Sequence, residues 1–208
     1  MKKRLTAIVL GMLALGGQGA VAGEKCRFPD PYKLTGAAAG LSKAEYRPVG
    51  MGTLRWLLVS VEGPPSGTAF VLSCDGKVVA KHDLGYFEKA VAGPSVDGQD
   101  TLQATYISGS GTGLRQYSAA LLHFDGKAIS VLWDHMVSST ESFPNSLSGG
   151  ARDDYRLRTE TQNFAWSYAS GKITVTGKRT VELGGKTVST KLPRENYCFQ
   201  RDHFVTCK

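Results

Sequence analysis

The fold class is decided by the stretch AALLHFDGKAISVLW, residues 119–133, in which two apolar runs flank Asp125-Gly126-Lys127. Asp-Gly tolerates the positive φ angles of tight hairpin turns, and the flanking residues are of types that favour strands. Three more segments share this form: Asp75-Gly76-Lys77, Ser170-Gly171-Lys172 and Gly184-Gly185-Lys186. The sequence therefore predicts a mainly β protein with little helix, built from antiparallel hairpins into a sandwich or a curled, barrel-like sheet.

The rest of the chain fits this interpretation, except for two segments that are predicted to be a helical turn and a loop. Leu54 to Val61 is almost continuously apolar, which is typical of a central strand, while Phe87 to Ala92 before Gly93-Pro94 predicts one helical turn. Residues 138–150 are rich in serine and contain a Gly-Gly pair, which predicts a linker or a long surface loop. The two Asp-Gly-Lys turns resemble those of propeller blades, but the four turns have no fixed period, which favours the sandwich.

The first 22 residues have the composition of a secretory signal peptide. Basic residues at 2–4 precede the apolar run Leu5 to Leu15, and the small residues Ala20-Val21-Ala22 predict cleavage after Ala22. Lipidation of Cys26 is the alternative, which Glu24 and Lys25 disfavour because small residues are expected there. We therefore expect a periplasmic or secreted protein.

The remaining residues, 23–208, are enough for a single domain, and a division into two lobes at the loop 138–150 is the alternative. No later stretch reaches the roughly 18 apolar residues of a membrane span. The sequence therefore predicts one β domain with no membrane span, and it gives no indication of the oligomeric state.

The four cysteines are expected to form disulfides in an oxidising compartment. Cys198 and Cys207 bracket a short hairpin whose turn is predicted at Asp202-His203, which would place the two cysteines directly opposite each other. Cys26 then pairs with Cys74, although four cysteines allow three pairings. No cysteine would remain for catalysis or for a metal.

The basic residues are concentrated in the last third of the chain. Residues 23–150 hold 11 basic and 12 acidic side chains, whereas residues 151–208 hold 11 and 6. This excess predicts either a solvated strand face or a docking surface for an acidic partner or an anionic envelope polymer. Nucleic acid is not an expected partner, because the chain is predicted to be exported and has no interleaved aromatic and basic motif.

The segment Ser108-Gly109-Ser110-Gly111-Thr112-Gly113 is the most distinctive loop of the sequence. Its backbone N–H groups can converge on an anion, with Arg115 supplying charge, but no nucleotide-binding fingerprint is present. A flexible hairpin connection is one interpretation. The other is a protruding loop that inserts into the cleft of a partner, with Tyr106 and Tyr117 as rigid anchors.

Catalytic and metal sites have little support in the sequence. Asp134 and His135 put an acid beside an imidazole, but adjacent strand residues point to opposite faces, so they can cooperate only where the strand ends or bulges. The segment Asp97-Gly98-Gln99-Asp100 has too few carboxylates for a calcium loop. No cofactor and no metal is predicted.

These observations favour an exported, non-enzymatic binding protein. One hypothesis is an inhibitor or immunity-type protein that acts on an envelope or cell-wall hydrolase through the glycine-rich loop. A second is an envelope hydrolase that uses Asp134 and His135. A third is a carbohydrate- or peptidoglycan-binding module that uses the basic C-terminal strands and aromatic residues such as Trp166 and Tyr168.

Overall fold

A computed structural model describes residue 26 and residues 29–30, 33–34, 41–50, 52–61 and 66–207. The predicted signal peptide, residues 1–22, lies outside the described residues. So do Glu24 and Lys25, on which the argument against lipidation depends.

Two antiparallel sheets contain all the named strands. The first sheet is formed, in chain order, by β1 (Leu41–Pro48), β2 (Arg55–Val61), β3 (Ser66–Leu72) and β4 (Val78–Leu84). The second is formed, in chain order, by β5 (Tyr86–Ala92), β6 (Thr101–Gly111), β7 (Leu114–Phe124), β8 (Ile129–Pro144), β9 (Leu157–Ala169), β10 (Lys172–Leu183), β11 (Lys186–Gln200) and β12 (His203–Thr206). Each strand pairs with its neighbours in sequence, so the predicted antiparallel, hairpin-built β fold is confirmed.

All four predicted hairpin turns are present. Ser170-Gly171 and Gly184-Gly185 each connect two strands with positive φ at both residues, as tight two-residue turns require. The two Asp-Gly turns are longer, and in them only the glycine has a positive φ. The carboxylate of Asp125 accepts hydrogen bonds from the backbone N–H groups of Lys127 and Ala128, which stabilises the longer loop.

The main core lies between the first sheet and the β5–β8 part of the second. Apolar residues of alternate positions face each other across this space, and burying each large side chain contributes about 1.5–3 kcal/mol. The buried residues are Val49, Trp56, Leu58, Ala69 and Val71 on the first side, and Phe87, Ala90, Leu102, Ala104, Ala120, Leu122 and Phe124 on the second. The two sheets therefore form a sandwich.

The chain passes from the first sheet to the second through one residue, Gly85, which lies between the last residue of β4 and the first of β5. A Cβ atom at Gly85 would overlap the carbonyl oxygen of Ile107, and a Cβ at Gly67 would overlap the carbonyl oxygen of Gly85. The two glycines therefore allow three backbone segments to approach closely where the sheets meet.

The second sheet curls so that its last strands return towards β8. β9 pairs with β8 only along residues 138–144, and β12 contacts the same strand. The curl encloses a second core on the opposite face of β7 and β8 from the first. Its buried residues are Val96, Ala119, Leu121, Leu132, Trp133, Ile173, Val175 and Phe204.

The outer edge of β11 is largely open. β12 pairs only with Tyr197–Gln200, so residues 186–195 have no strand partner on that side within the described part of the chain. Val188 in this edge is 65% exposed. Residues 157–165 of β9, 176–183 of β10 and 186–194 of β11 thus extend beyond the second core, and we call this solvated part of the sheet the blade.

Two predictions of local structure were wrong. Residues 138–144, predicted as part of a loop, belong to β8, and only residues 145–156 leave the sheet, beginning with a 3-10 helix at Asn145–Ser148. Polar cross-strand hydrogen bonds hold this part of β8, such as that between Ser142 and Thr159 at 3.0 Å. The segment Phe87–Ala92 is strand β5 rather than a helical turn, because pairing with β6 satisfies its backbone.

Both predicted disulfides are present, Cys26–Cys74 and Cys198–Cys207. The predicted turn of the last hairpin is wrong by one residue, because Arg201-Asp202 forms it and Arg201 has a φ of 59°. This register places Phe199 opposite Phe204, whose rings lie 5.2 Å apart. Cys198 and Cys207 are therefore diagonal neighbours, with Cα atoms 5.1 Å apart.

No helix among the described residues has the length and apolar character needed to cross a membrane.

Candidate functional site

The predicted glycine-rich loop is mostly strand. Ser108, Gly109 and Gly111 belong to β6, and the hairpin tip consists of Thr112 and Gly113. The backbone N–H of Ser142 donates to the carbonyl of Gly113 at 2.7 Å, so the tip is tied to β8. The structure therefore gives this hairpin a short, anchored tip.

The two tyrosines predicted to flank that loop lie on opposite faces of the sheet. Tyr106 pairs with Ser118, and Tyr117, the preceding residue of β7, pairs with Ile107. Tyr106 donates a hydrogen bond to Asp134, and burial together with this carboxylate raises the pKa of its hydroxyl. The guanidinium of Arg115 lies 5.3 Å from the centre of the Tyr117 ring. The structure brings Arg115 and Tyr117 together and separates both from Tyr106.

Asp134 and His135 also lie on opposite faces. β8 continues through both residues in regular register, Asp134 opposite Ala120 and His135 opposite Ala119, and its irregularities fall on either side of this pair. Asp134 accepts a hydrogen bond from Tyr106 on the face of β8 that is turned to the main core, whereas His135 faces the second core. The geometry therefore does not join the two side chains into a catalytic pair.

His135 is instead the centre of a polar cluster with Glu195 and Tyr197, which sequence reasoning missed. Its Nε2 lies 3.3 Å from the Glu195 carboxylate, which also accepts a hydrogen bond from Tyr197. Its Nδ1 faces the carbonyl of Met136. Both ring nitrogens of His135 therefore face acceptor oxygens.

Aromatic rings enclose this cluster. The His135 ring stacks on Trp133 at a centroid distance of 5.6 Å, and the edge-to-face neighbours are Phe164 and Tyr197. The Nε1 of Trp133 is buried and has no hydrogen-bond partner among the described residues. The cluster ties β8 to β11 across the curl, which is a structural function, because only 13% of the His135 side chain is exposed.

The cluster predicts an acid-dependent loss of stability. The hydrogen bond from Tyr197, and then His135, lowers the pKa of Glu195 below its ordinary value. A lowered folded-state pKa stabilises the fold above the unfolded value of about 4.3 and loses that contribution as the pH falls through the folded value. Glu195→Gln should therefore be less stable than the natural chain at pH 7, by about 1 kcal/mol or less because Glu195 is half-exposed, and the difference should be smaller at pH 3.

Urea unfolding at the two pH values measures this difference. Glu182→Gln serves as the control, because Glu182 is exposed on β10 and has no ion pair within the described part of the chain. A Glu195→Gln difference that is the same at both pH values would contradict the assignment.

A cavity of about 1010 Å³ opens at one end of the sandwich, and we call it the end cavity. Its floor is apolar and its rim polar. It is lined by residues 47–50, 56, 91–93, 98–102 and 123–125. No local sequence motif indicated it, because its walls come from five separate segments.

A second depression, of about 850 Å³, lies on the blade formed by β9, β10 and β11, and we call it the basic groove. It is lined by residues 163–165, 176–178, 189–192 and 194. Gly177 contributes only backbone to it, and the Phe164 ring, which a Cβ at Gly177 would approach to 2.7 Å, lies on the opposite face of the blade from Lys178. Two residues of β11, Pro193 and Arg194, lie opposite the single residue Thr176 of β10, and this bulge bends the strand at the groove.

Three cations surround the basic groove. Lys178 and Lys191 are directly opposite each other in the β10–β11 register, and Arg194 follows from the irregularity in β11. None of the three forms an ion pair with a described residue. On the other face of the blade, by contrast, Arg158 and Arg179 both pair with Glu160.

Metal binding gains no support from the geometry. Within the described ranges no three His, Cys, Asp or Glu side chains are grouped as metal ligands would be. The cysteines described are all in disulfides.

Comparisons of this chain with family models, curated proteins and solved structures find no match. The functional argument therefore rests on the chemistry of these surfaces.

Proposed function

We propose that this chain is an exported binding protein whose basic groove holds an anionic polymer of the cell envelope. The observation that carries the proposal is the cross-strand pair Lys178 and Lys191. Like charges placed directly opposite each other on a sheet destabilise it, and no described acidic side chain compensates them. An anion bound between the two ammonium groups removes this repulsion.

The other groups of the groove suit the same kind of ligand. Arg194 adds a third positive charge, and Asn163, Thr176 and Ser189 supply neutral hydrogen-bond donors. The groove is open to solvent on an exposed sheet face, which accommodates an extended chain. Phosphate or carboxylate groups repeated along a polymer would meet the three cations in turn.

Export is supported by the disulfides and by the sequence. The bridges Cys26–Cys74 and Cys198–Cys207 are typical of proteins that fold in an oxidising compartment. The signal-like residues 1–22 favour the same location. A protein in the periplasm or outside the cell meets anionic envelope polymers directly.

The proposal predicts a specific salt dependence. For a single-stranded polyanion the slope of log K against log salt is about −0.7 per neutralised phosphate, so three contacts predict a slope of about −2. Titration calorimetry with a synthetic poly(glycerol phosphate) chain, at several salt concentrations from roughly 50 to 200 mM, should give this slope. The triple variant Lys178→Gln, Lys191→Gln, Arg194→Gln should lose at least about tenfold in affinity and give a slope near zero.

The matched control removes three exposed lysines elsewhere: Lys33→Gln, Lys81→Gln, Lys127→Gln. It has the same net charge as the groove variant and should keep most of the affinity. Equal losses in the two variants would mean that net charge, and not the groove, attracts the polymer. Uncharged dextran of similar length should not bind to either variant or to the natural chain.

The two other hypotheses make different demands on the structure. An inhibitor of an envelope hydrolase that acts through the β6–β7 hairpin would use the exposed tip at Thr112 and Gly113, and this hypothesis stays a prediction. A hydrolase based on Asp134 and His135 would need both side chains on one face of β8, and the register separates them. The basic groove is therefore the surface on which our proposal rests.

A further inference from the structure

The end cavity has the form of a binding site for a small molecule. Its floor is formed by Val49, Trp56, Leu102 and Phe124, all of them nearly buried, and it opens to solvent between the two sheets. Its volume of about 1010 Å³ is in the range of ligand pockets, which combine apolar walls with a few polar groups. The polar groups of the rim decide which ligand the cavity suits.

Two carboxylates stand at the rim. The Asp100 carboxylate occupies the place that a side chain at position 50 would fill, so Gly50 makes room for it. The Asp125 carboxylate is fixed by the backbone N–H groups of Ala128 and Lys127, each at 2.7 Å, and these hydrogen bonds lower its pKa. Neither carboxylate forms an ion pair with a described residue.

His123 also lines the rim. Its Nδ1 lies 2.9 Å from the carbonyl oxygen of Asp100, which can only accept, so Nδ1 carries the proton. In the neutral ring Nε2 is then left with its lone pair.

Two donor side chains at the rim, those of Arg47 and Thr101, are already engaged. The Nε of Arg47 donates to the carbonyl of Ala90 at 3.1 Å, and its guanidinium pairs with Glu45. The hydroxyl of Thr101 donates to the carbonyl of Pro94 at 2.7 Å. The rim therefore presents acceptors and negative charge above an apolar floor.

We infer that the end cavity binds an organic cation with an apolar body, such as an arylalkyl or alkyl amine. The apolar body packs on the floor near Trp56, and the ammonium group reaches the carboxylates of Asp100 and Asp125. A neutral ligand of the same shape gains only the apolar contacts, and an anionic one is repelled.

The test uses three probes of one shape: 3-phenylpropylamine, 3-phenylpropanol and 3-phenylpropionate. Titration of the disulfide-bonded chain, followed by saturation-transfer NMR and tryptophan fluorescence, should show the amine binding about tenfold more tightly than the alcohol. The carboxylate should bind more weakly than both. Equal binding of amine and alcohol, or no binding of the amine at millimolar concentration, would overturn the inference.

Variants locate the site. In Asp100→Asn, Asp125→Asn the amine should bind no better than the alcohol, while the alcohol keeps its affinity. Asp153→Asn, an exposed carboxylate in the loop after β8, is the control and should keep the preference for the amine. A preference that survives the double substitution would place the amine elsewhere, and the comparison of the three probes on the natural chain decides the case if the double variant fails to fold.

Discussion

Removing the Cys26–Cys74 disulfide, by replacing both cysteines with alanine, is expected to lower the free energy of unfolding by about 4 kcal/mol. The bridge joins residues 48 positions apart and ties the N-terminal segment to the turn between β3 and β4. Without it the unfolded chain gains the conformational freedom of a long open loop. The hydroxyl of Tyr46 donates to the carbonyl of Pro29 at 2.8 Å, but this single hydrogen bond does not constrain the unfolded chain as a covalent bridge does.

The second disulfide is the natural comparison, because Cys198 and Cys207 are only 9 positions apart. Replacing both with alanine should cost about 3 kcal/mol, less than removal of the long bridge. Urea unfolding of both variants, followed by tryptophan fluorescence, gives the two values under one set of conditions. A larger loss for the short bridge would show that native contacts at the last hairpin outweigh the entropy of the loops.

Gly85→Ala should lower the free energy of unfolding by about 2–3 kcal/mol. The added methyl group would overlap the carbonyl oxygen of Ile107, a backbone atom that can move only if β6 moves with it. Because Gly85 carries the chain from one sheet to the other, the strain would fall on the junction of the sandwich. For a chain of this size we expect the thermal midpoint to fall by about 4–12 °C.

Gly111→Ala provides the matched control. A Cβ atom at Gly111 would meet nothing within 4 Å, and Gly111 does not have a positive φ angle. The same substitution there should change the free energy of unfolding by less than about 0.5 kcal/mol. Calorimetry of the two variants at one pH compares them directly. Equal thermal midpoints would show that the junction accommodates the methyl group without loss of stability.

The strand order could be predicted from the sequence because the signals that set it are local. Gly184-Gly185 and Ser170-Gly171 have the composition of two-residue turns, and the apolar runs beside them alternate as strands do. The failure at residues 138–144 has a physical reason. Serine and glycine are typical of loops, but in β8 serine hydroxyl groups form hydrogen bonds across strands, as Ser142 does with Thr159. Composition alone does not reveal such a partner.

The candidate surfaces could be predicted only in part. The basic excess of the last third was visible in the sequence, but that Lys178 stands opposite Lys191 depends on the β10–β11 register and on the irregularity at Arg194. The end cavity was invisible, because Asp100 and Trp56 are brought together only when the two sheets pack. The partners of His135 were missed for the same reason, since Glu195 is 60 residues away in the chain.

The unpaired margin of β11 has a consequence for self-association. A row of unsatisfied backbone groups is a template on which another copy can add a strand, and such templating leads to aggregation. Lys186 and Lys191 repel a second copy, and Pro193 has no N–H to offer it. Lys191, which we assign to polymer recognition, thus also opposes self-association, so bound polyanion would neutralise one of the charges that keep neighbouring molecules apart.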